Sequence, residues 1–444
     1  MRWRAQDLAD ALGARLVGPD TDIDGATFDS RQVLHHQLFV PIVAQRDGHD
    51  FIADALLAGA SAYLSSRLDV VETIGGSAIV VPDTALALID AARWARQQLA
   101  ESTVVVGVTG SVGKTTTKDL IAATLASSKR VVANIRSFNN EQGLPVTILN
   151  APITTEVLVL EMGMRGHGQI ADLCRIARPS IGVVTRVGQA HTELLGGLAG
   201  VAEAKGELIE ALPPQGMAIL NADDSLVMAM SARSSAPVMT YGESASADVR
   251  ISAVTIDQQG CAAFVIRTPS GSCAMKLSIA GRHMAHNAAA AIAVGESLGI
   301  SLDSMALALS TATISEHRMQ AKRTPRGALL FDDCYNANPT SMAAAIDTIS
   351  EINAKTKVAV LGVMAEINDP QEAYAAIVDQ AQKYRIEILA VETTAYGVPA
   401  MSLEEVQQRV QELDSEAVIL VKGSRVARLE RVVDAVMSDS GTSR

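Results

Sequence analysis

A glycine-rich loop between a short apolar run and a helix-forming run constrains the fold of this 444-residue chain most strongly. Residues 103–110 (TVVVGVTG) are rich in β-branched side chains and end in glycine, which is typical of a buried parallel strand. Residues 110–116 (GSVGKTT) follow, and a helix is predicted over 116–126. Parallel strands need crossover connections, usually helices that cover the sheet, so we predict an α/β fold.

The loop contains the residue types that bind nucleotide phosphates. Its glycines let backbone N–H groups approach phosphate oxygens, the Lys114 ammonium neutralises β- and γ-phosphate charge, and the Thr115 hydroxyl can ligate Mg²⁺. The spacing departs from the general G-x-x-x-x-G-K-[ST] form, since Val108 stands at the first glycine position. A Gly/Ser turn with a surface lysine is the alternative, but the flanking strand and helix favour nucleotide binding. The predicted ATP-binding residues here are Gly110, Ser111, Val112, Gly113, Lys114, Thr115 and Thr116.

The chain has room for about three domains of roughly 150 residues each. Further strands are predicted at residues 131–134, 157–161, 181–185 and 218–220, with a more antiparallel pattern over 236–279. An alanine-rich helix is predicted over 287–298, with Asn287 as its N-cap. Beyond residues 311–315, strands starting near Ala328, Lys357, Glu387 and Ala417 recur at the spacing of βαβ units. We therefore predict domains at residues 1–100, 101–313 and 314–444.

Charge and cysteine usage exclude several classes of protein. The chain has 37 basic and 49 acidic residues, a net charge of −12, which disfavours a nucleic-acid partner. Its four cysteines form no C-x-x-C pair, so a disulfide framework or structural zinc site is disfavoured. The first seven residues lack the apolar stretch of a signal peptide, and no apolar run approaches the ~18 residues of a membrane span. A soluble cytoplasmic protein is predicted.

Other polar residues follow predicted strands and leave alternatives open. Glu161 closes an apolar strand, where a carboxylate beside a phosphate loop is placed to hold Mg²⁺; an exposed strand-end glutamate is the alternative. Asn139, Asn140 and His191 lie in predicted loops, and each alone is more often a loop residue with satisfied hydrogen bonds. Lys205 alone would be a solvated helix lysine.

Together these segments resemble the Mur ligase family. The matching stretches, in family order, are residues 109–118 (TGSVGKTTTK), 137–145 (SFNNEQGLP), 160–163 (LEMG), 188–193 (GQAHTE), 200–208 (GVAEAKGEL), 286–289 (HNAA), 332–339 (DDCYNANP) and 422–425 (KGSR). Residues 29–31 and 47–51 also resemble the uridine-nucleotide domain of the family. The segment Asn-Ala-Asn-Pro at 336–339 is typical of the member that adds D-alanyl-D-alanine to a UDP-N-acetylmuramoyl-tripeptide.

The resemblance implies an ATP-dependent ligase that joins a carboxylate to an amine through an acyl phosphate. It implies a small mixed α/β uridine-nucleotide domain, a central P-loop ATPase-like domain with a parallel sheet, and a C-terminal Rossmann-like α/β domain. Lys114, His191 and Lys205 are the implied catalytic residues. The implied metal site uses Thr115 and Glu161 on a first Mg²⁺ and His191 on a second, with Lys205 as a carbamate or else a plain helix lysine.

The resemblance also implies the remaining substrate contacts. On the ATP side, Asn287 and Arg318 match adenine-side and phosphate-side contacts, Asp333 is expected to bind the ribose, and Tyr335 to line the pocket. Asp332 is expected either to cap the following turn or to contact ligand. The implied UDP-substrate residues are Ser30, Arg31, Arg46, His49, Asn139 and Asn140, with a surface-loop role as the alternative for Arg46 and His49.

Two stretches depart from the family pattern. Residues 362–368 (GVMAEIN) lack an aspartate that relatives carry there, and residues 33–37 lack a proline-glycine turn. The alternatives are a sister ligase that adds a single amino acid, a folate polyglutamate synthase, or a non-catalytic ATP-binding scaffold. The third residue of the tripeptide, diaminopimelate or lysine, stays open. The resemblance implies a monomer.

Overall fold

The computed structural model describes residues 1–135, 138–188, 195–365, 367 and 370–438. These residues divide into two compact units. The first contains Met1–Gly107, Lys129–Met164 and Gly168–Ile181, and the second contains Val108–Ser128, Arg165–His167 and the described residues from Gly182 onward.

The beginning of the first unit is a small mixed α/β layer. Its strands are β1 (Arg2–Arg4), β2 (Arg15–Val17), β3 (Asp22–Asp24), β4 (Ala26–Thr27), β5 (Leu38–Phe39), β6 (Ala62–Ser65) and β7 (Ala78–Val80). Its helices are α1 (Ala5–Ala11), α2 (Ile52–Leu57), α3 (Leu68–Ile74) and α4 (Thr84–Gln98). A five-stranded sheet has the order β2-β7-β6-β5-β4, with β4 to β7 parallel and β2 antiparallel. Phe39, Ile52 and Tyr63 are buried in its core.

The remainder of the first unit contains apolar strands and helices of βαβ type. They are β9 (Val131–Ala133), α6 (Gly143–Leu149), β10 (Val157–Glu161) and α7 (Gln169–Ala177), and β8 (Val104–Thr109) has residues in both units. Strands β9 and β10 are parallel, with Val157 opposite Val131. Every residue of β10 is buried, as expected for a strand covered on both faces.

The second unit begins with helix α5 (Lys114–Ala126), which follows the glycine-rich loop. Its next elements are β11 (Ile181–Val184), α8 (Leu198–Glu210), β12 (Met217–Asn221), α9 (Ser225–Ala229), β13 (Val238–Gly242), β14 (Val249–Ile256), β15 (Cys261–Thr268), β16 (Gly271–Ala280), α10 (Met284–Ser297) and α11 (Leu302–Ser310). Within this unit the strand order is β16-β15-β14-β13-β12-β11. Strands β14, β15 and β16 are antiparallel, which confirms the predicted pattern from residue 249 onward. For β13 the prediction is wrong, because this strand pairs in parallel with β12 and β14.

A second sheet, of six described strands, lies at the end of the chain. Its elements are β17 (Gln320–Arg323), β18 (Leu329–Asp333), α12 (Pro339–Glu351), β19 (Thr356–Leu361), α13 (Pro370–Lys383), β20 (Glu387–Val391), β21 (Ala400–Met401), α14 (Leu403–Gln411), β22 (Ala417–Lys422) and α15 (Glu430–Ser438). The order is β17-β18-β22-β19-β20-β21, parallel except for the edge strand β17. The predicted strand starts near Ala328, Lys357, Glu387 and Ala417 are therefore confirmed.

Two predicted helix starts are wrong. Helix α5 begins at Lys114, two residues before the predicted start at residue 116. Helix α10 begins at Met284 with His283 as its N-cap, so Asn287 lies one turn inside the helix and is buried. The polar side chain looked like a cap because asparagine is favoured there. In the structure its amide instead has a partner in another helix, described below. Among the described helices, none has both the length and the apolar character that crossing a membrane requires.

Candidate functional site

The glycine-rich loop has a backbone conformation that only glycine adopts without strain. Gly110 has φ +149°, and a Cβ atom there would overlap the Thr185 hydroxyl. Gly113 has φ +80°, and a Cβ atom there would lie 2.8 Å from Oδ1 of Asn287. Ser111 fixes the loop through its N–H, which donates to the Arg186 carbonyl at 2.7 Å. The loop therefore forms a narrow cradle at the N-terminus of α5, the geometry that suits a phosphate group.

The first residues of α5 direct their side chains to this loop. The Lys114 ammonium donates to the Gly110 carbonyl at 2.8 Å, and Thr115 is buried. Oγ1 of Thr115 accepts a hydrogen bond from Nη2 of Arg318 at 2.8 Å. The Arg318 guanidinium also lies over the Tyr335 ring, 4.2 Å from its centroid. The structure thus brings together five residues that were predicted for the ATP site: Gly110, Lys114, Thr115, Arg318 and Tyr335.

Asn287 approaches the same loop from helix α10. Its Oδ1 accepts a hydrogen bond from Oγ1 of Thr117 at 3.3 Å, and both side chains are buried. Thr117 was not among the predicted site residues, although it lies in the run of three threonines that follows Lys114. Asn287 therefore connects α10 to the helix that begins at the phosphate loop.

Asp333, at the end of β18, is held by two donors. Nζ of Lys422 lies 2.5 Å from Oδ2 of Asp333, and the Met319 N–H donates to Oδ1 at 3.1 Å. Lys422 is buried at the end of β22 and also donates to the Asn336 carbonyl. Lys422 lies in the family motif at residues 422–425, but no role was predicted for it. Its place at the carboxyl end of a parallel strand beside β18 was the signal that could have found it.

Asp332 belongs to a different, buried network. Its carboxylate lies 2.6 Å from Nζ of Lys322 and 3.0 Å from Nδ1 of His317, and accepts from the Cys334 thiol at 3.0 Å. Burial and the nearby carboxylate raise the pKa of the Cys334 thiol, which favours its protonated form. The Lys322 ammonium balances the charge of the Asp332 carboxylate. The partners that the described residues give this carboxylate are side chains and not the backbone of the following turn, and its contact with a ligand stays a prediction.

Lys205 is buried on α8 within the second unit. Burial first, and then the positive charge of Lys114, lower the pKa of the Lys205 ammonium well below its usual range. A solvated helix lysine, the alternative reading, would not be buried to this extent. His191, predicted as a catalytic and metal-binding residue, lies outside the described residues.

Glu161 lies in the first unit, where it is 1% exposed. The alternative of an exposed strand-end glutamate is therefore wrong. Nδ2 of Asn139 donates to Oε1 of Glu161 at 2.7 Å, and the Glu161 N–H donates to Oδ1 of Asn134 at 2.9 Å. Asn140 makes a different contact, since its Oδ1 accepts from the N–H groups of Gln142 and Gly143 at the start of α6.

The other four of the six predicted uridine-side residues have different environments in the first unit. Ser30 opens a short 3₁₀ turn, and the exposed guanidinium of Arg31 pairs with Asp29 at 2.8 Å. Arg46 is exposed. His49 is buried: its Nδ1 lies 2.6 Å from Oδ1 of Asp47, and its Nε2 accepts from the Ser66 N–H at 3.1 Å.

The donor chemistry present in each unit suits Mg²⁺ and a nucleotide. The Thr115 hydroxyl and the Glu161 carboxylate are hard oxygen ligands, the class that Mg²⁺ prefers. A helix N-terminus that follows a glycine-rich loop, as at Gly113, offers backbone N–H donors to phosphate oxygens.

Comparison with known proteins gives a consistent result along the chain. The Mur ligase middle domain matches residues 108–295, and the Mur ligase glutamate ligase domain matches residues 317–425. A UDP-N-acetylmuramoyl-tripeptide--D-alanyl-D-alanine ligase from Mycobacterium tuberculosis is 36% identical, over 93% of this chain and 92% of the relative.

Solved structures agree with this comparison. A crystal structure of MurF from Acinetobacter baumannii has a TM-score of 0.87 and 29% identity, covering 98% of this chain and 99% of that one. MurF ligase from Thermotoga maritima in complex with ADP has a TM-score of 0.81 and 27% identity, covering 94% and 97%. The predicted α/β fold class is confirmed.

Proposed function

Because this chain belongs to the Mur ligase family, we propose how its residues carry out an ATP-dependent ligation. The chain joins D-alanyl-D-alanine to UDP-N-acetylmuramoyl-tripeptide in peptidoglycan precursor synthesis, with ATP and Mg²⁺. The observation that best supports the residue roles is the hydrogen bond from Arg318 to Thr115, which places a guanidinium at the phosphate loop.

The reaction needs activation because a carboxylate in water does not react with an amine. The tripeptide carboxylate takes the γ-phosphoryl group of ATP, which gives an acyl phosphate and ADP. The D-alanyl-D-alanine amine then attacks the acyl carbon, and inorganic phosphate leaves. Phosphoryl transfer is catalysed mainly by alignment and charge stabilisation. Lys114 is proposed to stabilise the negative charge that develops on the transferred group, and the loop from Gly110 to Thr116 to cradle the phosphates.

The metal ligands are proposed from the family resemblance together with the donor chemistry. Thr115, Glu161, His191 and Lys205 are the proposed Mg²⁺-site residues. Bound Mg²⁺ would neutralise phosphate charge and polarise the phosphoryl oxygens. Asn139 is proposed to orient the Glu161 carboxylate, because its amide donates to Oε1.

Lys205 is proposed to act as a carbamate. A neutral amine adds to CO₂ and releases one proton, which gives a carbamate anion able to ligate a metal. The lowered pKa of Lys205 supports this role, since only the unprotonated amine reacts. A buried anion beside Lys114 would also remove the repulsion between two ammonium groups.

On the nucleotide side, we propose that Asn287 contacts the adenine, Arg318 the phosphates and Asp333 the ribose. Tyr335 would line the pocket and keep the Arg318 guanidinium oriented by stacking. On the uridine side, the proposed contacts are Ser30, Arg31, Arg46, His49, Asn139 and Asn140. For His49, whose ring nitrogens are both engaged, the proposal is that it holds the loop that carries Arg46.

The domain division follows the same proposal. Residues 1–100 would bind the UDP substrate, 101–313 would bind ATP, and 314–444 would form the C-terminal ligase domain. The matched ranges 108–295 and 317–425 fall inside the second and third of these, which supports the division. We further propose that the chain acts in the cytoplasm, where its nucleotide substrates are available.

The test is phosphate release from Mg·ATP with UDP-N-acetylmuramoyl-tripeptide, with and without D-alanyl-D-alanine. Tripeptides with diaminopimelate and with lysine are both offered, and the product is weighed by mass spectrometry. We expect release that requires both substrates and a product heavier by one dehydrated dipeptide, and Lys114→Ala controls for contaminating ATPase. Release with single amino acids or folates instead would point to a sister ligase. ATP binding without carboxylate-dependent release would point to a scaffold.

A further inference from the structure

We infer that Asp119, on helix α5, is a positioning residue that holds Arg318 at the phosphate loop. The inference rests on the proposed role of Arg318 as a phosphate contact. It concerns the segment of residues 315–319, called here the Arg318 loop, which precedes β17.

Two contacts hold the Arg318 loop to one face of α5. Oδ2 of Asp119 accepts both the N–H and the hydroxyl of Ser315, each at 2.8 Å. Four residues earlier on the helix, Thr115 accepts from Arg318. Residues four apart lie on the same helix face, so the two contacts lie one above the other. They fix both ends of a four-residue stretch against the helix that begins at the phosphate loop.

The Asp119 carboxylate is itself fixed. Its Oδ1 lies 2.7 Å from Nζ of Lys118, and the two side chains are 15% and 3% exposed. With one oxygen on Lys118 and the other on Ser315, the carboxylate has little freedom to rotate. A rigid acceptor of this kind restricts the position of Ser315 more strongly than a solvated, freely rotating carboxylate would.

The Arg318 loop also has a conformation that needs such support. His317 and Met319 have φ of +61° and +50°, in the left-handed region that non-glycine side chains disfavour. Strained backbone persists where surrounding contacts determine it. Without the contact to Asp119, the Arg318 loop would relax to an unstrained backbone conformation. The Arg318 side chain would then be directed toward the phosphate loop for a smaller fraction of the time.

The experiment measures ATP affinity of the full-length protein by titration calorimetry in Mg²⁺, with the KM for the UDP-tripeptide as a second readout. We expect Asp119→Ala to weaken ATP affinity about tenfold, as for loss of hydrogen bonds to a charged group. Ser315→Ala, which leaves the Lys118–Asp119 pair intact, should weaken it a few-fold, and Ser315→Thr should restore it. The KM for the UDP-tripeptide should not change.

The matched control is Asp257→Ala. The Asp257 carboxylate also accepts backbone N–H groups, from Gln259 and Cys261, and pairs with a lysine, Lys276, at 2.8 Å. Its loss should leave ATP affinity unchanged. If ATP affinity fell simply because a hydrogen-bonded carboxylate was removed, it would fall in both Asp119→Ala and Asp257→Ala.

The double variant Asp119→Ala/Arg318→Ala separates positioning from general stability. If Asp119 acts through Arg318, it should bind ATP no more weakly than Arg318→Ala alone. An equal further loss in the Arg318→Ala background would overturn the inference, as would normal affinity in both Asp119→Ala and Ser315→Ala. Unchanged affinity in Arg318→Ala would instead refute the proposed phosphate contact itself.

Discussion

The side-chain amide of Asn139 donates a hydrogen bond to Oε1 of Glu161 across 2.7 Å. Glu161 is buried, so its orientation depends on such partners. Asn139→Ala should raise the Mg²⁺ concentration needed for half-maximal activity by about tenfold, since removing a group that orients a metal ligand costs roughly that much. The measurement is a Mg²⁺ titration at saturating ATP. The exposed Asn353→Ala serves as control, and an unchanged Mg²⁺ requirement in Asn139→Ala would remove the proposed orienting role.

Lys114 stands at the lysine position of the phosphate-loop motif, and its ammonium lies on the loop, 2.8 Å from the Gly110 carbonyl. Lys114→Ala should lower ATP turnover by roughly 10²–10³-fold, because it removes a fixed positive charge at the transferred group. Denaturant unfolding should stay cooperative. The exposed Lys129→Ala is the comparison variant. Near-normal turnover in Lys114→Ala would contradict the phosphate-loop assignment.

Lys205→Ala tests the proposed carbamate. The variant removes the amine that reacts with CO₂, so activity should fall by about 10²-fold, the scale of a lost metal-supporting group. Short-chain carboxylates such as formate or acetate should restore part of it, because they can occupy the space of the carbamate. Activity is followed by phosphate release with increasing carboxylate. Full activity without added carboxylate would mean that Lys205 has no part in the reaction.

His283, the N-cap of α10, predicts a pH dependence of stability. The ring is half-buried, with its Nδ1 shielded from solvent, and this desolvation lowers the pKa of His283 to about 4, with Asp333 opposing the shift and Lys422 adding to it. The unfolded state, with a histidine pKa near 6.5, therefore binds more protons than the folded state between about pH 4 and 6.5. The free energy of unfolding should fall as pH drops through this window, by at most ~1.4 kcal/mol per pH unit.

The test is urea unfolding of the wild type and His283→Gln at pH 5 and 7. The variant should show the smaller difference between the two pH values, because it has no titrating ring at that position. His35→Gln, at an exposed position, should behave as the wild type. Equal pH dependence in wild type and His283→Gln would show that the ring titrates alike in both states.

The sequence predicted correctly those strands and loops whose conformation depends on residues close to them in the chain. Strand β10 was predicted at its observed bounds, because an unbroken apolar run closed by a charged residue allows few other structures. The phosphate loop was identifiable because glycine, lysine and threonine must stand at fixed spacing between a strand and a helix. The prediction of Asn287 as an N-cap was wrong for the opposite reason. Asparagine is a good capping residue, but here its side chain lies inside the helix and bonds to Thr117, which is distant in the chain.

The sequence by itself therefore determined the α/β architecture, the phosphate loop and the identity of most candidate site residues. Only the tertiary structure decided which of them are buried and which partners they have. Thr117 and Asn287 are 170 residues apart in the chain, and Asp119 and Ser315 are 196 apart. The burial of Lys205 and its closeness to Lys114 are likewise set by the packing of separate helices. Hydrogen bonding and desolvation depend on distance in space, and no short stretch of sequence encodes the distance between elements so far apart.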